Sequence, residues 1–269
     1  DFVKDEWIDK IFAVMALCPQ HTFQVLTKRA ERMRAYFLDR HSHNEVELAA
    51  EHMKPSVGKA WSPKYVLRWP LQNVWLGVSA ERQQEADERI PLLLQAPAAV
   101  RFVSCEPLLG PIDLTNIDSG LRLEQYEAET IDALTGHAEF EVDGYRGRVP
   151  KDYPKIDWVI AGGESGRNAR PCHPEWLRDL RDQCSTAQVP FFFKQWGEWA
   201  PGECADKPVT RTERVAYFFA NNWDFGRLTP RASVECHRDD EPDVYWLGKK
   251  AAGRLLDGRE HSAFPEVSV

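Results

Sequence analysis

The residues of this sequence that could carry out chemistry stand where five short apolar segments end. They are carboxylates, lysines, hydroxyl residues, one thiol, one amide and a pair of glycines: Lys28, Ser79, Glu81, Ser104, Cys105, Glu106, Gly162, Gly163, Glu164, Lys194 and Gln195. Carboxylates serve as general acids and bases, and lysines bind anions or act as nucleophiles. Because a buried unpaired charge costs much free energy, these groups must pair with one another, with water or with a ligand.

The five segments have the pattern of strands in a parallel sheet. They are near-continuous apolar runs at residues 22–28, 74–79, 100–104, 157–161 and 190–196. Strands that are apolar on both faces are typical of parallel sheets covered by helices, and helical patterns lie between these runs. We therefore predict an α/β fold, a partial (β/α) barrel of the TIM-barrel kind, with a doubly wound open sheet as the alternative. In both folds ligands bind at the carboxyl ends of the strands, so the polar groups should converge on one pocket.

The regular alternation is interrupted twice and stops after Trp199. We predict a barrel domain over 1–200, with insertions at about 39–70 and 113–155. The second insertion is acidic, and a hairpin turn is expected at Asp143-Gly144. Residues 201–269 are predicted to form a C-terminal extension packed on the barrel. It should hold a strand at 243–247 and a short helix at 249–256.

Composition limits the class of protein. Of the 269 residues, 43% are hydrophobic and 28% are charged, as in soluble globular proteins. No run of 18 apolar residues occurs, so no membrane span is expected, and no secretory signal is present. We therefore predict a cytoplasmic protein. The net charge of −8 does not suggest a nucleic-acid binder overall, although a local basic cleft remains open.

The cysteines and histidines lack the spacings of metal sites. No pair of the six cysteines forms a C-x-x-C motif, and no H-x-H or H-E-x-x-H spacing occurs, so no metal ligands are predicted in this chain. Neither a dinucleotide-binding nor a P-loop glycine motif is present. The sequence begins with Asp1 rather than Met, and we expect that an N-terminal segment, with further strands of the barrel, precedes it.

Five ordered motifs and part of the tail carry a resemblance to a known family. They are VLTKR at 25–29, VWLGVS at 74–79, FVSCEPLLG at 102–110, WVIAGGESG at 158–166, FFFKQWGEW at 191–199 and GKKAAGRLLDGRE at 248–260. In these motifs the sequence resembles the phage-type three-Cys-motif proteins, an uncharacterised family of phages and bacteria. That family in turn resembles radical S-adenosylmethionine barrels. Its Thr-Lys strand end and Glu-Pro motif are similar to those of spore photoproduct lyase-like members.

The resemblance implies a [4Fe–4S] cluster and S-adenosylmethionine as cofactors. In full-length relatives three cysteines precede the region where this chain starts, and their thiolates leave one iron open for S-adenosylmethionine. This sequence contains no such motif between Asp1 and Val269, so the ligand cysteines are absent from it. The implied activity is that of a radical lyase or modifying enzyme, with nucleic acid as a candidate substrate.

The resemblance also assigns roles by position. The implied cofactor-binding residues are Lys28 for the carboxylate, Ser79 and Glu81 for the ribose, and Gly162, Gly163 and Glu164 along the cofactor or substrate. The implied catalytic residues, which face the substrate, are Glu106, Lys194, Gln195 and Cys105, the last being the only thiol that the sequence places well.

Three other functions remain open from the residues alone. A glycosidase-like hydrolase would use two of Glu81, Glu106 and Glu164 as paired carboxylates. A Schiff-base enzyme would use Lys28 or Lys194 as a desolvated nucleophile. A non-catalytic protein would instead bind a protein partner through the same surface.

Overall fold

The architecture is that of a computed structural model, which describes residues 2–38, 42–57, 68–120, 128–142, 145–148, 153–205, 214–227 and 242–266. Its first half contains α1 (Asp5–Leu17), β1 (Phe23–Thr27), α2 (Ala30–Leu38), α3 (Ser42–Val57), β2 (Val74–Ser79), α4 (Gln83–Gln95), β3 (Val100–Cys105), β4 (Ile117–Asp118), β5 (Ala128–Asp132), β6 (His137–Val142) and β7 (Tyr145–Arg148). Its second half contains β8 (Trp158–Ala161), α5 (Pro174–Thr186), β9 (Phe191–Phe193), β10 (Trp199–Ala200), a 3-10 turn (Gly202–Cys204), β11 (Arg214–Phe219), β12 (Asn222–Arg227), β13 (Val244–Trp246) and α6 (Lys249–Ala252).

A five-stranded parallel sheet forms the centre of the structure, in the order β1-β2-β3-β8-β9. Each of these strands pairs in parallel with its neighbour, so all five carboxyl ends lie at one edge. All six residues of β2 are buried, because the strand is covered on both faces. The parallel sheet predicted from the apolar runs is thus confirmed.

The two faces of this sheet are covered differently. One face contributes Val78, Val103 and Val159 to a large core shared with α1, α2, α4 and α5. The other face carries an aromatic cluster of Trp75, Phe102 and Trp158. The register explains the division, because residues paired across parallel strands project to the same side.

The aromatic face is covered in part by a segment of the C-terminal tail. The indole nitrogen of Trp158 donates a hydrogen bond to the carbonyl of Ala263 over 2.9 Å. The ring of Phe264 packs 4.9 Å from that of Trp158, centre to centre. Ser262 forms an antiparallel bridge with Phe192 in β9. Tail residues therefore lie along the edge of β9 that does not pair with β8.

No closed barrel forms among the described residues. β1 and β9 are the two edges of the sheet and do not pair with each other. Five strands are too few for the tilt and stagger that close a parallel barrel, which commonly has eight strands. The part of the prediction that holds is therefore the parallel α/β sheet rather than a closed barrel.

The insertions and the tail contain more regular structure than the sequence patterns indicated. The first insertion holds helix α3, and the second holds the antiparallel sheet β4-β5-β6-β7. The predicted turn at Asp143-Gly144 lies outside the described residues. The tail supplies β13 and α6 as expected, and β13 joins the antiparallel sheet β10-β13-β11-β12. No helix in the described ranges is both long and apolar enough to cross a membrane.

We expect Gly77→Ala to destabilise the sheet, because a Cβ at this position would lie 2.4 Å from the ring of Phe102. That ring is 1% exposed and packs against Trp158, so it cannot move away without disturbing the aromatic cluster. Overpacking of this kind costs about 1–3 kcal/mol in the free energy of unfolding, measured by urea denaturation.

Gly110→Ala is the matched control for this test. Its Cβ would meet only the flexible side chain of Arg82, at 3.4 Å. We expect a change of less than about 1 kcal/mol, because alanine also restricts the unfolded chain. Equal losses for the two variants would contradict the packing argument.

Candidate active site

Three ion pairs lie at the carboxyl ends of the five parallel strands. They join Lys28 to Glu81, Lys194 to Glu106, and Arg170 to Glu164. In each pair the carboxylate is recessed and the cation is open to solvent. The side chains of Lys28, Lys194 and Arg170 are 61%, 57% and 53% exposed. Those of their partners Glu81, Glu106 and Glu164 are only 8%, 15% and 25% exposed. The edge therefore presents cations held by carboxylates beneath them.

The first cluster is centred on Glu81, just beyond β2. One carboxylate oxygen contacts the ammonium of Lys28, which follows β1. The other accepts a hydrogen bond from Arg89 over 3.0 Å. The same guanidinium donates to the carbonyl of Ser79 over 2.9 Å. Arg89 lies on α4 and thus anchors the end of β2 from the helical layer.

The two cations determine the protonation state of Glu81. Burial by itself would raise the pKa of this carboxyl, but the hydrogen bonds and charges of Lys28 and Arg89 together outweigh it and hold the pKa below its ordinary value. Glu81 is therefore ionised at neutral pH.

The second cluster spans three strands. The ammonium of Lys194, after β9, lies 3.1 Å from a carboxylate oxygen of Glu106, after β3. β8 lies between them and is followed by Gly162, where a Cβ would come within 2.8 Å of the other Glu106 oxygen. The missing side chain at Gly162 thus leaves the space that the Glu106 carboxylate occupies. The backbone of Leu108 donates to the carbonyl of Gly162 over 2.9 Å and fixes the loop that carries Glu106.

The third cluster lies in the loop after β8. Arg170 binds both oxygens of Glu164, each over 2.8 Å, and its backbone N–H donates to the same carboxylate over 2.7 Å. The hydrogen bonds of Arg170 hold the pKa of Glu164 below its ordinary value despite partial burial. Close by, the amide of Gln195 donates to the hydroxyl of Ser165 over 3.0 Å.

The second glycine of the β8 loop is required by protein packing. A Cβ at Gly163 would lie 1.9 Å from the carbonyl oxygen of Trp196. Glu198 completes this arrangement, because its carboxylate accepts from the backbone N–H of Gly166 and of Lys249, each over 3.1 Å. The loop after β8 and the start of α6 are therefore held together by one carboxylate. The space around Gly162 and Gly163 is taken by protein atoms.

The charges of the first and third clusters affect each other. Hydrogen bonds to Glu164 raise the pKa of Arg170 against a smaller opposing effect of burial, and the charge of Glu81 adds to this increase. Burial raises the pKa of Cys105, and the charges of Glu81 and Glu106 add to this increase. Glu81, after β2, therefore lies close enough to Arg170, in the loop after β8, for the two charges to interact.

Cys105, a predicted site residue, lies in the core rather than among the ion pairs of this edge. It is fully buried in the core shared with the helices, on the same side of β3 as Val103. Burial first, then the nearby Cys184 and carboxylates, raise its pKa well above the ordinary range of a thiol. Cys105 is therefore a neutral packing thiol in this structure.

The described residues contain no group of three His, Cys, Asp or Glu that could hold a metal ion. Burial raises the pKa of Cys172 far above its ordinary value and that of Cys184 to about 12. Both thiols are therefore neutral in this structure. Cys236 lies outside the described residues.

Sequence patterns did not identify four residues that shape the site: Arg89, Ser165, Arg170 and Glu198. Arg170 follows Glu164 by six residues in one loop, so the local charge pattern could have indicated their pairing. Arg89 gave no such signal, because only the packing of α4 against the sheet brings it to the end of β2.

Comparison with known families identifies the group to which the chain belongs. It is a member of the family described as "Protein of unknown function (DUF5131)", whose model matches residues 1–265. No curated protein and no solved structure matches the chain. The likeness to phage-type three-Cys-motif proteins and to radical S-adenosylmethionine barrels therefore stays a prediction.

We expect Glu81→Gln to destabilise the protein in a pH-dependent way. Because the folded-state pKa is lowered, the ion pairs of Glu81 contribute fully above its ordinary value of 4.5 and are lost as the pH falls through the lowered value. Near neutral pH the variant should lose about 1.5–3 kcal/mol, the range for hydrogen bonds to charged groups. Urea denaturation across acidic and neutral pH measures the difference.

Glu88→Gln serves as the control, because Glu88 is exposed on α4, the helix that follows Glu81. Its effect should stay within about 0.5 kcal/mol, as for most surface substitutions. A deficit of the Glu81→Gln variant that stays constant from neutral to strongly acidic pH would rule out the ion-pair explanation.

Proposed function

We propose that this family member is an enzyme of the radical S-adenosylmethionine kind, which binds the cofactor and an anionic substrate at the carboxyl edge of its parallel sheet. The observation that supports the proposal is the row of three ion pairs, each with its carboxylate recessed and its cation open to solvent. Nucleic acid is the substrate class that the sequence resemblance implies.

The ion pairs give this edge a directional electrostatic character. An approaching ligand meets the ammonium and guanidinium groups first, while the carboxylates behind them hold the cations in position. Ordered cations at the ends of parallel strands suit the carboxylate or phosphate groups of a ligand. This local arrangement supports binding of an anion by a chain whose net charge is −8.

Lys28 is the residue we assign to the carboxylate of the cofactor. Its ammonium is largely exposed and is held by Glu81, which is itself held by Arg89. Since both oxygens of Glu81 already contact cations, we assign Glu81 the positioning of Lys28 rather than direct binding of the ribose. The buried Ser79 stands at the same strand end.

The iron–sulfur cluster is not assigned to residues of the described chain. The described residues contain no group of cysteines, or of cysteines with other ligands, that could hold it. In enzymes of this kind the cluster supplies the electron that cleaves S-adenosylmethionine to a radical. The described residues bind and orient the reacting molecules.

The substrate is assigned to the side of the edge formed by Glu106, Lys194 and Gln195. Lys194 is exposed, and its ammonium is fixed by Glu106 above the end of β8. Gln195 is oriented by Ser165. A substrate anion paired with Lys194 would therefore be held between the cofactor side and the loop of Glu164 and Arg170.

The alternative enzymes fit the geometry less well. A glycosidase needs one protonated carboxylic acid, whereas each of its three candidate carboxylates, those of Glu81, Glu106 and Glu164, is paired with a cation. A Schiff-base lysine is activated by desolvation, whereas Lys28 and Lys194 are mostly exposed and paired.

We expect the protein to bind S-adenosylmethionine, and Lys28→Met to weaken this binding by about 10- to 100-fold. This is the range for losing one charge-assisted hydrogen bond to a carboxylate. Isothermal titration calorimetry on the full chain measures the affinity without depending on turnover.

Lys10→Met is the control, since Lys10 is exposed on α1 and belongs to none of the three ion pairs of the carboxyl edge. It should bind like the wild type. Either no binding by the wild type or equal affinity for the Lys28→Met variant would overturn the proposed role of this edge.

A further inference from the structure

A partly exposed group of three aromatic rings and one arginine lies beside the candidate site. It stands on the antiparallel sheet of β10 to β13. We call it the aromatic ledge and define it as Trp199, Arg214, Phe225 and Trp246. The guanidinium carbon of Arg214 lies 4.2 Å from the ring centre of Trp246 and 5.3 Å from that of Trp199. The ring of Phe225 lies 5.8 Å from that of Trp199.

The ledge has a buried base and an open upper surface. Trp199 is 1% exposed, and Trp246 packs edge-on against it at 5.1 Å. Phe225, in contrast, is 61% exposed, and Arg214 is also exposed. Within the described part of the chain, the guanidinium of Arg214 is held by ring faces and forms no ion pair. Its N–H groups therefore remain available to a ligand.

Hydrogen bonds join the ledge to the loop that carries the third ion pair. The indole nitrogen of Trp199 donates to the carbonyl of Ala169 over 2.8 Å, and Arg170 is the next residue. The backbone N–H of Glu198 donates to the carbonyl of Glu164 over 3.0 Å. The ledge and the Glu164–Arg170 pair are thus adjacent parts of one surface.

We infer that the aromatic ledge binds a single-stranded segment of nucleic acid, which it presents to the candidate active site. Proteins that hold single strands combine aromatic faces, on which bases stack, with cations that contact the backbone phosphates. Phe225 supplies an exposed ring face, and Arg214, which lies over the ring of Trp246, supplies both a planar cation and phosphate-binding N–H groups. The inference rests on the proposed function and defines its substrate class more narrowly.

Charge complementarity favours this occupant over an apolar one. Exposed cations continue from the ledge along the carboxyl edge and onto α6: Arg170, Lys194, Lys28, Lys249 and Lys250. Arg170, Lys194 and Lys28 pair with recessed carboxylates but remain more than half exposed. A phosphate backbone can therefore contact these cations, whereas an apolar peptide offers them no partner. Because each contact between a cation and a phosphate releases counterions, the affinity should fall as the salt concentration rises.

Fluorescence anisotropy with a labelled single-stranded oligonucleotide of about 12 nucleotides tests the inference. We expect the wild type to bind it more tightly than a duplex of the same sequence. Phe225→Ala should raise the Kd by at least about fivefold, the lower end of the effect of removing one stacked ring. Arg214→Lys, which keeps the charge but loses the planar guanidinium, should also weaken binding.

Phe219→Ala provides a closely matched control. Phe219 is 59% exposed on the same hairpin, but it pairs with Asn222, whereas Phe225 pairs with Ala216. The alternation of side chains along a strand places it on the opposite face of the sheet. Its loss should change the Kd by less than about twofold.

The outcomes separate the two proposals. Absence of oligonucleotide binding, equal effects of the two Phe variants, or equal affinity for single strand and duplex would overturn the ledge inference. S-adenosylmethionine binding by the wild type would leave the proposed function intact in those cases. If Phe225→Ala weakens oligonucleotide binding and leaves cofactor binding unchanged, while Lys28→Met weakens cofactor binding, both proposals are supported.

Discussion

The cost of removing carboxylates from water governs the carboxyl edge of this protein. Glu81, Glu106 and Glu164 each follow an apolar strand and are recessed among protein atoms, where an unpaired charge would be strongly unfavourable. Each is neutralised by a cation from a different element or from farther along the same loop. These pairings determine where Lys28, Arg170 and Lys194 stand. The same interactions therefore stabilise the strand ends and arrange the exposed cations.

Close packing between the strand ends also depends on residues at this edge. Gly162 leaves room for the Glu106 carboxylate, and Gly163 allows the backbone of Trp196 to approach β8. These contacts bring β3, β8 and the segment after β9 together although their residues are far apart in the chain. The glycines thus act mainly through protein packing, and the charged side chains provide the surface that meets a ligand.

The two faces of the parallel sheet are covered by different elements and have different roles. The helical face buries Val78, Val103 and Cys105 in a continuous core, where a thiol stays neutral. The opposite face carries large aromatic rings and is covered in part by residues of the tail. The antiparallel sheet that follows β9 adds an exposed aromatic surface next to the Glu164 loop. Function is therefore proposed where charged strand ends meet this second sheet.

Local sequence determined the elements of the sheet and the kind of residue at each strand end. Near-continuous apolar runs predicted the parallel strands, and their polar termini predicted Lys28, Glu81, Glu106, Glu164 and Lys194 as neighbours, because carboxyl ends of parallel strands share one edge. The tail strand and helix were also readable from pattern.

Only the tertiary structure decided which charge pairs with which, and which way each side chain faces. Arg89 reaches Glu81 through the packing of α4, Lys194 reaches Glu106 across β8, and Cys105 turns toward the helices. The open edges of the five-stranded sheet were likewise not encoded in any local pattern. These features depend on contacts between residues distant in sequence, whereas apolar periodicity reports only the environment of each segment.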